Sequence, residues 1–192
     1  MNRLFIAFGL LLILFACRGR ETVTSTDTIS TSGTETTGTE SKTSTGSSGG
    51  TVSSLNAEDK QFFIAAAAAN LSEVSLGQLA MDRATNADVK TFASRMIADH
   101  GNANGELTQL ALRKGVALPT TIPTSDLSNI AGADFDRAYI NQMVRDHQKA
   151  VGDFQSASVN AKDPDLRAWA AKTLPTLQDH LAAAKRLQSK LR

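Results

Sequence analysis

Residues 87–114 read ADVKTFASRMIADHGNANGELTQLALRK, and the spacing of apolar residues in this stretch decides the fold. They recur alternately four and three positions apart, which places their side chains on one face of an α-helix. The positions on this face are Val89, Ala93, Met96, His100, Ala103, Leu107 and Leu110. Asn86 precedes the stretch as an N-cap, and Gly115 follows Lys114 as a stop signal. The stretch therefore predicts a long amphipathic helix whose buried face carries a histidine.

Three further stretches have the same helical spacing, and no alternation typical of strands occurs from residue 55 onward. Asn56 is the predicted N-cap of the first helix, and Asp163 followed by Pro164 predicts the start of the fourth. The predicted helices span about residues 57–84, 87–114, 133–161 and 164–191. A connection with Pro119 and Pro123 separates the second from the third and is longer than most helix connections. We therefore predict an all-α four-helix bundle with a long connection between helices 2 and 3.

The three histidines of the chain are His100, His147 and His180, and each directly follows an aspartate. Each histidine falls on the predicted buried face of its own helix, on helices 2, 3 and 4 respectively. Helix 1 has Glu73 at the corresponding place, on a predicted buried face that also contains Phe62, Ala66, Ala69, Leu76 and Ala80. All four residues lie within about one helical turn of their helix midpoints, at 1.5 Å rise per residue. The pattern predicts that one carboxylate and three imidazoles share a layer at mid-bundle.

This predicted layer has two interpretations. Carboxylate and imidazole groups are ligands for a divalent metal such as zinc, iron, manganese or copper, and burying them without any partner would be costly. The predicted metal ligands are Glu73, His100, His147 and His180. Alternatively, Glu73 pairs with protonated histidines in a polar layer that specifies helix register and binds no metal. The sequence leaves both interpretations open.

Residues next to the predicted ligands are candidates for supporting roles. Met96 and Met143 lie one helical turn before two of the histidines, where a thioether would suit copper(I), although methionine is also an ordinary filler of core gaps. Asp99, Asp146 and Asp179 lie about 100° around the helix from the histidine that each precedes. They would either orient an imidazole of a neighbouring helix or face solvent.

The N-terminus predicts export. Residues 1–17 combine Arg3, a short apolar stretch and a small residue before Cys17, as in a signal peptide. Leu14-Phe15-Ala16-Cys17 resembles the bacterial lipobox, which implies lipidation of Cys17 and attachment to a membrane. Arg18 in place of aspartate after the cysteine implies, by the same resemblance, the outer membrane with the protein facing the periplasm. Secretion with a stray cysteine is the alternative.

Residues 18–54 are almost entirely Thr, Ser, Gly and Glu, a composition that cannot bury enough apolar surface to fold. We predict a disordered tether there, with a span of about 30–35 Å as a flexible coil. The bundle domain then covers residues 55–192. The net charge of +1 without a basic run argues against nucleic acid as a partner.

Several short motifs in the bundle domain resemble a bacterial family of exported proteins, domain of unknown function 4142 (DUF4142). The resemblance covers about residues 58–190 and rests on Phe63-Ile64, Glu73-Val74, Phe92 to His100, Phe135 to Ile140, and Leu174-Pro175 with His180-Leu181. It implies a ferritin-like four-helix bundle, a fold that often has a long crossover between its second and third helices. It implies no particular activity.

The di-iron oxidase motif of better-known ferritin-like proteins is not present, because its Glu-x-x-His pairs are missing. Ile97, Val144 and Leu177 stand three residues before the histidines. An enzyme is therefore not favoured, although it is not excluded. The sequence favours a lipid-anchored envelope protein that binds one divalent metal for sequestration, sensing or mild redox protection. The alternative is a non-enzymatic structural or interaction module of the envelope.

Overall fold

The computed structural model describes residues 55–121 and 126–191, and the predicted signal peptide, Cys17 and tether lie outside these ranges. Four long helices make up the described part of the chain, with one short 3₁₀ turn before the third. They are α1 (Ala57–Arg83), α2 (Ala87–Lys114), α3 (Gly132–Asn160) and α4 (Pro164–Lys190), with the turn at Asp126–Asn129. The predicted all-α bundle is confirmed, and each helix boundary lies within one residue of its predicted position.

The predicted caps account for where three of the helices start. The side-chain oxygens of Asn56, Asn86 and Asp163 each accept hydrogen bonds from backbone N–H groups in the first turn of α1, α2 and α4. These N–H groups have no partner inside a helix, so a capping side chain stabilises the start. α2 ends at Gly115, whose φ of 67° is in the left-handed region that favours glycine.

Contacts at the two ends of the bundle define its topology. At one end, the start of α1 meets the start of α4, because Asp59 accepts a 2.7 Å hydrogen bond from the backbone N–H of Asp163. Lys114, at the end of α2, binds Asp163 at 2.6 Å at the same end. At the opposite end, Asp136 near the start of α3 accepts from the N–H of Asn86, before α2. α2 and α3 therefore run parallel, and the connection between them runs the length of the bundle, as the resemblance implied.

Apolar side chains form two separate core clusters, one in each half of the bundle. Phe63, Leu107, Phe154 and Trp169 belong to the half that contains the starts of α1 and α4. The other half contains Leu76, Val89, Met96, Phe135, Tyr139, Ile140 and Met143. Between the halves lie buried polar residues, one or two from each helix: Asn70, Glu73, His100, His147 and His180. The predicted polar layer at mid-bundle is therefore present.

Helix α1 is long and apolar enough to cross a membrane by length and composition alone. In this structure it is instead a core helix, because its Asp59, Asn70 and Glu73 are buried against the other helices together with its apolar face. Its run of alanines at residues 65–69 leaves little side-chain volume on the side that faces α3. These small side chains leave space for a groove between α1 and α3.

Candidate metal centre

The three histidines form a nearly equilateral triangle in the middle of the bundle. Their ring centroids are 5.4 Å apart for His100 and His147 and 5.3 Å apart for the two pairs that include His180. Each side chain is 5% exposed or less. One ring nitrogen of each lies within 4.8 Å of one ring nitrogen of both others. Helices α2, α3 and α4 thus bring their histidines together, as the helical spacing predicted.

Hydrogen bonds determine which ring nitrogens of His100 and His147 carry a proton. His100 Nδ1 lies 3.0 Å from the side-chain oxygen of Asn70, and His147 Nδ1 lies 2.9 Å from the backbone carbonyl of Met143. Since both oxygens accept, both Nδ1 atoms donate, and in a neutral imidazole the other nitrogen then carries a lone pair. The Nε2 atoms of His100 and His147 face each other at 3.3 Å. Two lone pairs therefore meet where no proton is left to join them.

The separation of these two nitrogens fits a shared metal ion. Imidazole nitrogens bind zinc at about 2.0–2.1 Å, so two of them at tetrahedral or trigonal angles lie about 3.3–3.6 Å apart. The observed Nε2–Nε2 distance of 3.3 Å lies within that range. The arrangement is therefore repulsive for two neutral acceptors and suitable for two ligands of one cation.

His180 has the complementary arrangement. Its Nε2 lies 2.8 Å from a carboxylate oxygen of Asp99, which can only accept, so Nε2 donates. Its Nδ1 is buried and has no hydrogen-bond partner among the residues that the structure describes. Asp99 is itself held by the guanidinium of Arg95 at 3.2 Å. A histidine that donates one N–H to a carboxylate and keeps the other nitrogen free is the usual form of a metal-binding imidazole.

Burial keeps the histidines neutral. Loss of hydration, with a smaller contribution from the neighbouring imidazoles, lowers the pKa of His100 to about 3. The same causes lower the pKa of His147 to about 4, and burial also lowers the pKa of His180 below its ordinary value. Metal ligands must be deprotonated, so at neutral pH this group is already in the binding form. The alternative in which Glu73 pairs with protonated histidines is not favoured by these pKa values.

Glu73 lies beside the three histidines and is not part of their cluster. It is 5% exposed, and its Oε1 is 4.0 Å from His147 Nδ1, the nitrogen that already donates to Met143. Its Oε2 has no hydrogen-bond partner among the described residues. Burial, followed by the nearby charge of Asp146, raises the pKa of Glu73 to about 8. Of the four predicted ligands, the structure therefore brings three together and leaves the carboxylate next to them.

Sequence reasoning missed two buried polar residues, Asn70 in this layer and Tyr139 in the adjoining apolar cluster. Asn70 is buried and orients His100, whereas the predicted face of α1 placed Ala69 inward, and Ala69 is exposed. The signal was a single amide directly after five alanines, three residues before Glu73. Tyr139 is fully buried with a hydroxyl that has no partner in the described chain, and burial together with Glu73 raises its pKa. A tyrosine among core residues carried no comparable signal.

The candidates for supporting roles have different environments. Met96 and Met143 are fully buried in one apolar cluster, and Met143 contributes its backbone carbonyl to His147. Asp99 orients His180 from the neighbouring helix, which is one of the two roles considered for it. Asp146 is half-buried beside Glu73, and Asp179 is exposed. Only one of the three aspartates therefore contacts a histidine of another helix.

A family model with the description "Domain of unknown function (DUF4142)" matches residues 45–187, which is most of the chain. No curated protein matches the sequence.

Several solved structures have a similar fold. A DUF305 fragment from Deinococcus radiodurans has a TM-score of 0.62 at 16% identity, covering 71% of this chain and 98% of its own. CopM in the Cu(I)-bound form has a TM-score of 0.60 at 18% identity, covering 69% and 96%. CopM in the Cu(II)-bound form has a TM-score of 0.60 at 17% identity, covering 70% and 97%. At these identities the likeness establishes the helical-bundle fold alone.

Proposed function

The chain belongs to the DUF4142 family, and we propose that it binds one transition-metal ion between His100, His147 and His180. The observation that carries this proposal is the 3.3 Å approach of two Nε2 atoms that are both left without a proton by their Nδ1 hydrogen bonds. His180 would supply the third nitrogen, Nδ1, because its Nε2 is engaged by Asp99. A cation would turn three unsatisfied lone pairs in a dry core into three bonds.

We further propose that the ion is copper, with Cu(I) preferred. Imidazole suits copper, zinc, iron and nickel alike, so the ligand type alone does not select among them. The three ligands are neutral and buried, and the cost of moving an ion out of water rises with the square of its charge, which favours a monovalent ion. The fold likeness to CopM, a protein solved with Cu(I), Cu(II) and Ag bound, supports copper.

In this proposal the protein sequesters metal rather than catalysing a reaction. The three histidines are 5% exposed or less, so an ion bound between them would be buried in the protein. The hydrogen bonds that the imidazoles donate to Asn70, Asp99 and the Met143 carbonyl would hold the rings in position before the ion arrives. With a lipid at Cys17 and a tether over residues 18–54, the bundle would hold metal in the envelope, at the periplasmic face of the outer membrane.

Metal analysis of the purified protein tests the proposal. After incubation with Cu(I) under anaerobic conditions and removal of free metal, the wild type should retain one copper per chain, and His147→Ala should retain almost none. Glu106→Gln serves as the control, because it changes an exposed carboxylate on α2 that is not one of the predicted ligands. At a free copper concentration 100 times the Kd, unfolding of the wild type should require about 2.7 kcal/mol more.

The proposal fails if the wild type retains no copper, zinc, iron or manganese and its thermal stability is the same with and without each metal. That result would favour the alternative, in which the buried polar layer only specifies helix register in a structural or interaction module.

A further inference from the structure

A groove between α1 and α3 leads from the surface to the polar layer. It has a volume of about 370 Å³, and its sides include Phe62, Ala69 and Phe154. The small alanine side chains on α1 leave this space unfilled. Two carboxyl groups also line it, those of Asp146 and Glu73. The groove is therefore an opening in the bundle wall at the height of the histidines.

Glu73 connects the groove to the histidines. Only 5% of Glu73 is exposed, and yet the residue borders the groove. One carboxyl oxygen lies 4.0 Å from the His147 ring, and the other has no hydrogen-bond partner among the described residues. A buried oxygen without a protein donor is costly unless something else contacts it.

Two other sides of the layer offer no comparable opening. Beside His180, the Asp99 carboxylate already accepts from His180 and is covered by the positive guanidinium of Arg95, which would repel a cation. Between α1 and α2, the helices approach so closely that a methyl group added at Gly77 would lie 2.8 Å from Ile97 Cγ1. The groove between α1 and α3 combines space with the carboxyl oxygens of Glu73 and Asp146.

We propose that metal ions reach and leave the three-histidine site through the groove between α1 and α3, contacting first Asp146 and then Glu73. Asp146 is half-buried and lies nearer to solvent, whereas Glu73 is next to His147. Carboxylate oxygens along the path replace part of the water that the ion loses on the way in. This inference rests on the proposed function, because it describes the path to that site.

A path residue and a ligand have different kinetic effects. A residue that only lowers the barrier changes the loading and unloading rate constants by the same factor and leaves the Kd unchanged. A ligand changes the Kd. Glu73, which was first predicted as a ligand, can therefore be assigned by measuring both rate constants.

The experiment measures Cu(I) loading by stopped flow under anaerobic conditions and unloading by capture with excess bicinchoninate, whose copper complex is coloured. Glu73→Gln and Asp146→Asn each replace a carboxyl oxygen on the path, and Ala69→Phe narrows the path sterically at an exposed position. Each should slow loading and unloading alike, by about tenfold for Glu73→Gln, which corresponds to the loss of one contact worth about 1.4 kcal/mol at the barrier. Asp82→Asn is the matched control, since Asp82 is exposed on the same helix and lies nine residues, about 180° around, from Glu73.

The outcomes separate the two proposals. Equal slowing of both rates in Glu73→Gln and Ala69→Phe, with wild-type rates in Asp82→Asn, supports the path. Wild-type rates in all three path variants would overturn the path and leave metal binding intact. A weaker Kd for Glu73→Gln with an unchanged loading rate would also overturn the path, because it would make Glu73 a ligand. If the wild-type protein takes up no copper at all, the proposed function itself is wrong.

Discussion

The buried carboxylates at the ends of the bundle differ from the one in its middle. Asp136 accepts hydrogen bonds from the backbone N–H groups of Thr85 and Asn86 and from the Thr85 hydroxyl. Asp59 accepts from two backbone N–H groups in the connection between α3 and α4. Glu73, equally buried, has an oxygen without any partner in the described chain.

This difference separates structural from functional polar groups. At the ends, each carboxylate near the start of one helix pair anchors the short connection of the other pair, so its burial is compensated by several charge-assisted hydrogen bonds. In the middle, Glu73 Oε2 and His180 Nδ1 have no such compensation. Buried groups left unsatisfied by the protein need an explanation, and the proposed ion with its path would supply one here.

The largest expected effect is at an end carboxylate. Asp136→Ala should lower the free energy of unfolding by about 3–5 kcal/mol, because it strands buried N–H donors that lose a charged acceptor. Asp134→Ala, an exposed aspartate two residues earlier in α3, should change it by about 0.5 kcal/mol or less. Urea unfolding of the metal-free proteins measures both. Equal effects of the two substitutions would remove the distinction between end and surface carboxylates.

A substitution in the middle layer should have the opposite sign in the absence of metal. His147→Leu should raise the stability of the metal-free protein by about 1–3 kcal/mol, since an apolar side chain of similar size removes the repulsion between two Nε2 lone pairs. The same variant should show no stabilisation by copper. Urea unfolding with a chelator and with Cu(I) gives the two values. A strong loss of stability without metal would mean that the layer is a structural element like the ends.

The pH dependence of stability should show whether the buried Glu73 carboxyl is protonated in the folded protein. Its folded pKa of about 8 exceeds the ordinary value of 4.5, so its contribution to stability falls as pH rises from about 5 to 8. The pKa values of His100 and His147 are lowered from 6.5, so their contributions rise with pH and are complete above about 6.5.

Between about pH 6.5 and 8 the metal-free wild type should therefore lose stability, by up to about 1.4 kcal/mol per pH unit. Glu73→Gln should remove that loss. Urea unfolding at pH 6.5, 7.2 and 8.0 in the presence of a chelator compares the two proteins. If the free energy of unfolding changed with pH equally in both proteins, Glu73 would already be ionised in the folded wild type.

The smallest expected effects compare a closely packed glycine on α1 with a glycine on α2 that has open space around it. Gly77→Ala should destabilise the fold by about 1 kcal/mol, because the new methyl group would lie 2.8 Å from Ile97 Cγ1 and 3.1 Å from the carbonyl of Ala93. Gly101→Ala meets nothing within 4 Å and should stabilise α2 by about 0.5–1 kcal/mol. Thermal unfolding of both variants checks the signs. If both substitutions stabilised the protein, α1 and α2 would have room to separate at Gly77, and the close contact between them would not be rigid.

The helices and their caps were predictable because the responsible signals are local. The face of α2 from Val89 to Leu110 and the cap residues Asn86 and Asp163 lie in the segments that they organise. The crossover also followed from a long connection with prolines. On α1, however, a run of five alanines gives almost no contrast between faces, and a shift of one residue, about 100°, exchanged Ala69 for the buried Asn70.

From the sequence alone come four amphipathic helices, a polar position near the middle of each, and three histidines on inward faces. These properties depend on periodicity and capping, which act within one helix. Only the tertiary structure decided that His100 and His147 direct proton-free nitrogens at each other, that Asp99 orients His180, and that Glu73 stands beside the cluster at the end of a groove. The physical reason is that a ring's proton and direction depend on hydrogen-bond partners, most of which belong to other helices.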